Sequence, residues 1–237
     1  MKNLYKNKNG QNFVKNKIRT VTQIITFVII SVVLFISTII AEKINVSAEI
    51  KNLKSKDMNK KLTAIYKLGK ANDRRATSEL IKELKTQRKQ NWYIRSKIIE
   101  ALGNTKDDLA VDEIESVLKS EEEDISLKSI AIISLANIAT EKAITILIDI
   151  LNNEKEEISL RLEALEGLSR IKDEKITFDI LVKATDDPNP IIRKTAVGLL
   201  WHNYYSTKKE QITSILKKML NDNNKEVAES VRQMLEF

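Results

Sequence analysis

The chain has 237 residues, of which 42% are hydrophobic, 31% charged and 5% aromatic, enough length to bury a sizeable core in one or two domains. It has no cysteine and a single histidine, His202. That composition excludes disulfides, thiol nucleophiles, thiolate zinc sites and any metal site built on two histidines. Five glycines and two prolines argue against a fold of many tight turns, and the abundance of Leu, Ile and Lys favours helices.

The formal charge of +7 arises at one end of the chain. Lys2, Lys6, Lys8, Lys15, Lys17 and Arg19 precede the first acid, Glu42, and the remaining 34 bases face 33 acids. This is the distribution of a positive-inside arm, and no nucleic-acid partner is expected from it. Residues 1–19 read as a basic cytoplasmic arm. Thr20 to Ala41 is an uncharged run of 22 residues. At 1.5 Å per residue such a run crosses a hydrocarbon core of about 30 Å. The expectation is a transmembrane or signal-anchor helix over 20–41, with the N-terminus in the cytoplasm and the repeat domain extracytoplasmic. Residues 42–48 would be a short linker. Val46-Ser47-Ala48 also fits a small-x-small cleavage site, so a cleaved, secreted or periplasmic form stays open.

From residue 49 onward the chain repeats itself. Leu68-Gly69, Leu102-Gly103, Leu135-Ala136, Leu168-Ser169 and Leu200-Trp201 recur at spacings of 34, 33, 33 and 32 residues. Ile94-Arg95, Leu127-Lys128, Leu160-Arg161 and Ile192-Arg193 stand at matching distances upstream, with Lys60-Lys61 a weaker copy. Asp73, Asp107, Thr140 and Asp173 follow the marks as N-caps for the next helix. Each repeat therefore reads as two helices, the second carrying the mark, with apolar residues at helical spacing on both. One hairpin cannot bury both faces, so neighbours must stack into a continuous core. Lys225 to Phe237 reads as a capping helix with Val227, Val231, Met234 and Leu235 on its apolar side.

Asp186-Asp187-Pro188-Asn189-Pro190-Ile191-Ile192-Arg193 resembles the turn and helix start of the HEAT-repeat family, in its short HEAT-like form. The resemblance covers about residues 49–237. It implies an all-α, right-handed α-solenoid of about five helical hairpins with a C-terminal capping helix, which the uncharged run 20–41 would precede as one transmembrane or signal helix. It also implies a ladder between repeats, made by an acid in the turn and an arginine six residues later. Asp187 and Arg193 match that pattern, and Glu122 with Lys128 is a conservative version. Lys155 with Arg161 and Lys89 with Arg95 put two bases where a pair is expected, so the ladder should be incomplete.

Candidate contact residues follow from the register of the second helices. Lys97, Ile130, Glu163 and Thr195 form one column, and Glu100, Ile133, Glu166 and Gly198 the next. Asn104, Asn137, Arg170 and His202 lie beside them. Trp201 and His202 sit in an aromatic cluster ahead of a longer turn, where packing over that turn competes with a contact site. Trp92-Tyr93 after the basic stretch reads as a helix staple. Glu121 to Asp124 lacks the spacing and glycine of a calcium loop. There is no P-loop, GxGxxG or GxSxG motif.

Among proteins with similar repeats, the deoxyhypusine hydroxylase type uses paired His-Glu metal motifs and the phycobilin-lyase type binds a tetrapyrrole. One histidine cannot supply the former, and no chromophore pocket is legible. The expectation is thus a chain that is not an enzyme and carries no cofactor and no metal. It would be a membrane-anchored or exported scaffold or adaptor that binds a protein partner in the cell envelope. The alternatives are a ligand- or chromophore-handling lyase-type enzyme and a cytoplasmic nucleic-acid-associated scaffold.

Overall fold

A computed structural model describes residues 44–87 and 92–236, together with Gln23, Thr26, Val28 and Ile29. The chain divides into two units, Met1–Ile44 and Asn45–Phe237. In the first unit the four described residues before Ile44 are helical and exposed. The basic arm and nearly all of 20–41 lie outside the described residues. Among the described residues no helix is long and apolar enough to cross a membrane, so the expectation of a single-pass membrane protein is not supported.

Among the described residues the second unit contains twelve α-helices and no strand. They are α1 (Val46–Leu53), α2 (Met58–Lys70), α3 (Arg74–Thr86), α4 (Trp92–Thr105), α5 (Val111–Lys119) and α6 (Ile125–Ile138). They continue as α7 (Glu141–Asn152), α8 (Ile158–Ser169), α9 (Glu174–Ala184), α10 (Pro190–Tyr204), α11 (Lys209–Met219) and α12 (Lys225–Leu235). A short 3-10 turn, Asp108–Ala110, precedes α5. α1 starts inside the stretch read as a linker. Asn45 caps it by accepting from the Ala48 N–H at 3.1 Å, and Val46 is buried.

Local chemistry explains where the helices begin. Asp73 accepts from the Arg75 N–H, Asp107 from Leu109, Thr140 from Ala143 and Asp173 from Ile176. Each satisfies one N–H that a helix start leaves without an internal partner. Asn72, Lys106 and Ala139 take positive φ just after α2, α4 and α6 and turn the chain toward those caps.

The even-numbered helices carry the repeat marks and form one row, each packed on the next. Leu68, Leu102, Leu135 and Leu168 are fully buried along it, as are Ala64, Ile98, Ala131, Ala164 and Ala196. The odd-numbered helices form a second row that packs on the first through Leu80, Ile114, Leu147, Leu181 and Leu216. The last helix, α12, packs on α10 and α11 and so completes a sixth pair. Its Val227 and Val231 are buried, while Glu226, Glu229 and Arg232 are exposed.

Small residues set the spacing of the even row. A Cβ on Gly69 would lie 2.9 Å from Ala101 Cα, and one on Gly103 would lie 2.7 Å from Ser134 Cα. At the next joint the glycine changes sides, and a Cβ on Gly167 would meet Ala136 Cβ at 2.9 Å. Ser134 also donates across its joint to the Ile99 carbonyl at 3.0 Å. Backbones come this close only because one partner at each joint lacks a side chain.

The turns are tied by arginines. Arg95 forms a bidentate pair with Glu123, with Nη1 to Oε2 at 2.7 Å. Arg161 donates from Nη2 to Asp187 Oδ2 at 2.5 Å and from Nε to the Leu151 carbonyl at 2.8 Å. Arg193 is bidentate to Asp222 at 2.8 and 2.7 Å, and it also donates to the Asp187 and Pro188 carbonyls. The carboxylate partner thus belongs to the following turn. The expectation of two bases in place of a pair at Arg161 and Arg95 is corrected: each takes an acid from the following turn, and the Asp187 carboxylate goes to Arg161 and not to Arg193. Lys128 makes no ion pair among the described residues, so the ladder is interrupted in the third repeat.

Two stability predictions follow from these contacts. Gly103→Ala overpacks a joint and should cost about 1–3 kcal/mol, whereas Gly198, with nothing within 4 Å of an added Cβ, should gain about 0.5–1 kcal/mol as alanine. Urea denaturation of the two variants gives opposite shifts in midpoint.

The hydrogen bonds from Arg193 hold the Asp222 carboxyl below the usual carboxylate range. A lowered folded pKa means that the pair's contribution is present above the unfolded value, about 3.9, and is lost as pH falls through the folded value. Asp222→Asn leaves Arg193 buried without its carboxylate, should cost about 3 kcal/mol at neutral pH, and should flatten the acid limb of a stability–pH curve.

Candidate functional site

The even row exposes one face, and the sequence-derived columns lie along it. Lys97, Ile130, Glu163 and Thr195 are half-buried, one per helix on α4, α6, α8 and α10. One turn further on, Glu100, Ile133 and Glu166 are exposed and Gly198 is half-buried. Asn104, Asn137, Arg170 and His202 complete the face, all exposed. The tight joints of α4, α6 and α8 bring the first three members of each column side by side.

The chemistry of the face changes along the row. On α4, Lys97 donates to Glu100 at 2.8 Å. That bond raises the lysine above its ordinary pKa, so the two charges largely satisfy each other. On α6, Ile133 is 36% exposed beside half-buried Ile130. On α8, burial pushes the Glu163 carboxyl above the usual range, and the Glu166 charge pushes it the same way. Arg170 offsets this in part from one further turn along the helix. The arrangement presents apolar surface bounded by an internally neutralised pair on one side and two carboxylates on the other.

At α10 the aromatics mostly pack on each other. Tyr204 is buried edge-on against Phe178, with ring centroids 5.3 Å apart, and Lys208 lies over the Phe178 ring. Trp201 stacks on Tyr205 at 3.8 Å and is half-buried, while His202 is exposed. Trp201 occupies the repeat position filled by Gly69, Gly103, Ala136 and Ser169 in the earlier even helices.

The turn arginines Arg95, Arg161 and Arg193 are buried and away from this exposed face. Sequence reasoning missed two of their partners, Glu123 and Asp222. A signal was present, because an acid stands 28, 26 and 29 residues after Arg95, Arg161 and Arg193. Also missed were Ile144, Ile148 and Ile176 on the odd helices, which line a groove. Their signal was an apolar face on α7 wider than Ala143, Leu147 and Leu151 require. Among the described residues no cluster of three or more His, Cys, Asp or Glu could hold a metal ion.

The electrostatics of α8 can be tested directly. Removing the neighbouring charge with Glu166→Gln should bring the Glu163 pKa back toward the usual carboxylate range without restoring it fully, because burial is the larger cause. Side-chain carboxyl NMR titration of Glu163 in the two proteins measures the change.

A HEAT-repeat family model matches residues 77–159 and, in an overlapping second match, residues 114–201. No curated protein matches the chain. Solved structures similar to it include the following two. One is the complex of CpcE and CpcF of phycocyanin lyase from Nostoc sp. PCC7120, at 17% identity, covering 83% of this chain and 96% of that one, with a TM-score of 0.44. The other is human deoxyhypusine hydroxylase in complex with glycerol, at 17% identity, covering 81% and 83%, with a TM-score of 0.36. Both are enzyme-related, and the expectation that the chain is not an enzyme is not upheld. At such identity and TM-score the likenesses assign this chain no reaction. The family match spans more than half of the chain, in phase with the stacked helix pairs and their repeated marks, and the chain belongs to the HEAT-repeat family.

Proposed function

We propose that the exposed face of α4, α6, α8 and α10 binds another protein, so that the chain acts through assembly. The observation that carries this reading is Ile133, 36% exposed and next to half-buried Ile130, between Glu100 and the Glu163–Glu166 pair on packed neighbouring helices. An apolar centre with a charged margin is the usual layout of a protein contact. Glu163 supports it further. A carboxylate whose folded pKa is raised contributes most to stability below its unfolded value and loses that contribution as pH rises through the folded one. At neutral pH it is therefore a charge held at some cost, which a cationic group on a partner would relieve. Lys97, Glu100, Ile130, Ile133, Glu163 and Glu166 form the centre of the proposed surface, with Trp201 and His202 at its far end.

A second reading is that the chain contributes to a ligand- or chromophore-handling enzyme of the lyase type. The phycocyanin lyase structure that it resembles is a complex of two proteins. In that reading too the chain works in company, and the same face is available for the contact. A small molecule retained through purification would favour it.

Cross-linked co-purification with a tag after Phe237 tests the proposal. A partner recovered in fixed ratio should be lost about tenfold or more with Ile133→Glu, while the thermal melt of the variant stays unchanged. Equal recovery with Ile133→Glu and with Glu163→Lys would reject the face.

A further inference from the structure

The same stacking that draws the even helices together leaves the odd row open between α7 and α9. α7 packs on α6 and α8, and α9 on α8 and α10, without a packed interface between α7 and α9. A groove of about 840 Å³ lies there, at the edge where the turns run from α6 to α7 and from α8 to α9. Its apolar wall includes Ile144 and Ile148 from α7 and Ile176 from α9, the last 39% exposed. That volume is in the usual range for ligand-binding clefts.

The margin of the groove is positive. Lys106, Arg170 and Lys172 line it, and none of them makes an ion pair among the described residues. Two acids also line it. The Asp173 carboxylate is engaged in capping α9 through the Ile176 N–H at 3.0 Å, and Glu141 stands in the first turn of α7. The N-termini of α7 and α9 both open at this edge, and their backbone dipoles add to the positive side. An apolar floor with cations at its rim that form no ion pair among the described residues is complementary to apolar side chains interspersed with carboxylates.

We propose that the groove between α7 and α9 takes an acidic, apolar peptide segment of a partner protein. Apolar side chains of the segment lie on Ile144, Ile148 and Ile176, and its carboxylates face Lys106, Arg170 and Lys172. The site goes beyond the exposed face of the even helices. It lies on the turn edge, uses mainly different residues and has the opposite charge.

Fluorescence anisotropy with two labelled short amphipathic peptides tests it on the full-length chain. Both peptides have the same leucine pattern, one with glutamate and the other with lysine at every polar position. The glutamate peptide should bind, with affinity falling as salt rises. The double variant Lys106→Glu/Lys172→Glu and the single variant Ile176→Glu should each weaken it by about tenfold or more. Ile133→Glu, on the other face, should leave it unchanged, and circular dichroism melts check that each variant is folded. No binding of the glutamate peptide, equal or tighter binding of the lysine peptide, or insensitivity to the charge reversal overturns the proposal. Loss on Ile133→Glu alone assigns the peptide to the even-helix face and also overturns it. Saturable binding of dodecanoate with none of the peptide overturns it in favour of a small anionic amphiphile. The groove can fail these tests while the even-helix face still holds its partner, and the reverse is equally readable.

Discussion

The close approach of the even-numbered helices is the constraint on which the rest of the unit depends. At Gly69–Ala101, Gly103–Ser134 and Ala136–Gly167 the backbones meet where a single added Cβ would collide. The gain is dense contact along one row, with the repeat leucines sealed beneath it. One consequence is open surface on both sides. Residues one turn apart on neighbouring helices are held in columns on the even face, and the odd helices are left far enough apart for a groove.

The arginine ladder works on a different scale. Small residues fix how close two helices lie, whereas Arg95, Arg161 and Arg193 join α4, α8 and α10 to the turn of the next repeat. A buried bidentate pair is directional, so it specifies register more than it adds free energy. The interruption at Lys128 falls in the third repeat, beside the apolar patch of Ile130 and Ile133. The third repeat therefore relies on its helix joints, Gly103–Ser134 on one side and Ala136–Gly167 on the other, where its neighbours also have buried ion pairs.

Much of this was legible in the residues. The recurring leucines located the even helices, and Asp73, Asp107, Thr140 and Asp173 located the starts of the odd ones, because both signals are local and repeat in phase. The columns containing Lys97, Ile130 and Glu163 follow from the same register. The ladder was misread because its logic is not local. A search six residues upstream of Arg161 finds Lys155, while the actual partner, Asp187, lies in the next repeat. The groove residues were passed over for a related reason. Ile144, Ile148 and Ile176 look like ordinary members of amphipathic helices until the spacing between α7 and α9 is known.

Periodicity, capping residues and small residues at fixed intervals determined by themselves that the chain stacks helix pairs, since each pair has more apolar surface than it can bury alone. Charge placement within one helix, such as Lys97 with Glu100 or Glu163 beside Glu166, was equally open to reading, because i and i+3 always meet. Tertiary structure alone decided which acid each arginine takes, that α12 completes a sixth pair, and that the odd row opens between α7 and α9 while the even row closes. Those outcomes depend on distances between segments some thirty residues apart, which are set by how closely the backbones pack and not by the pattern within any one helix.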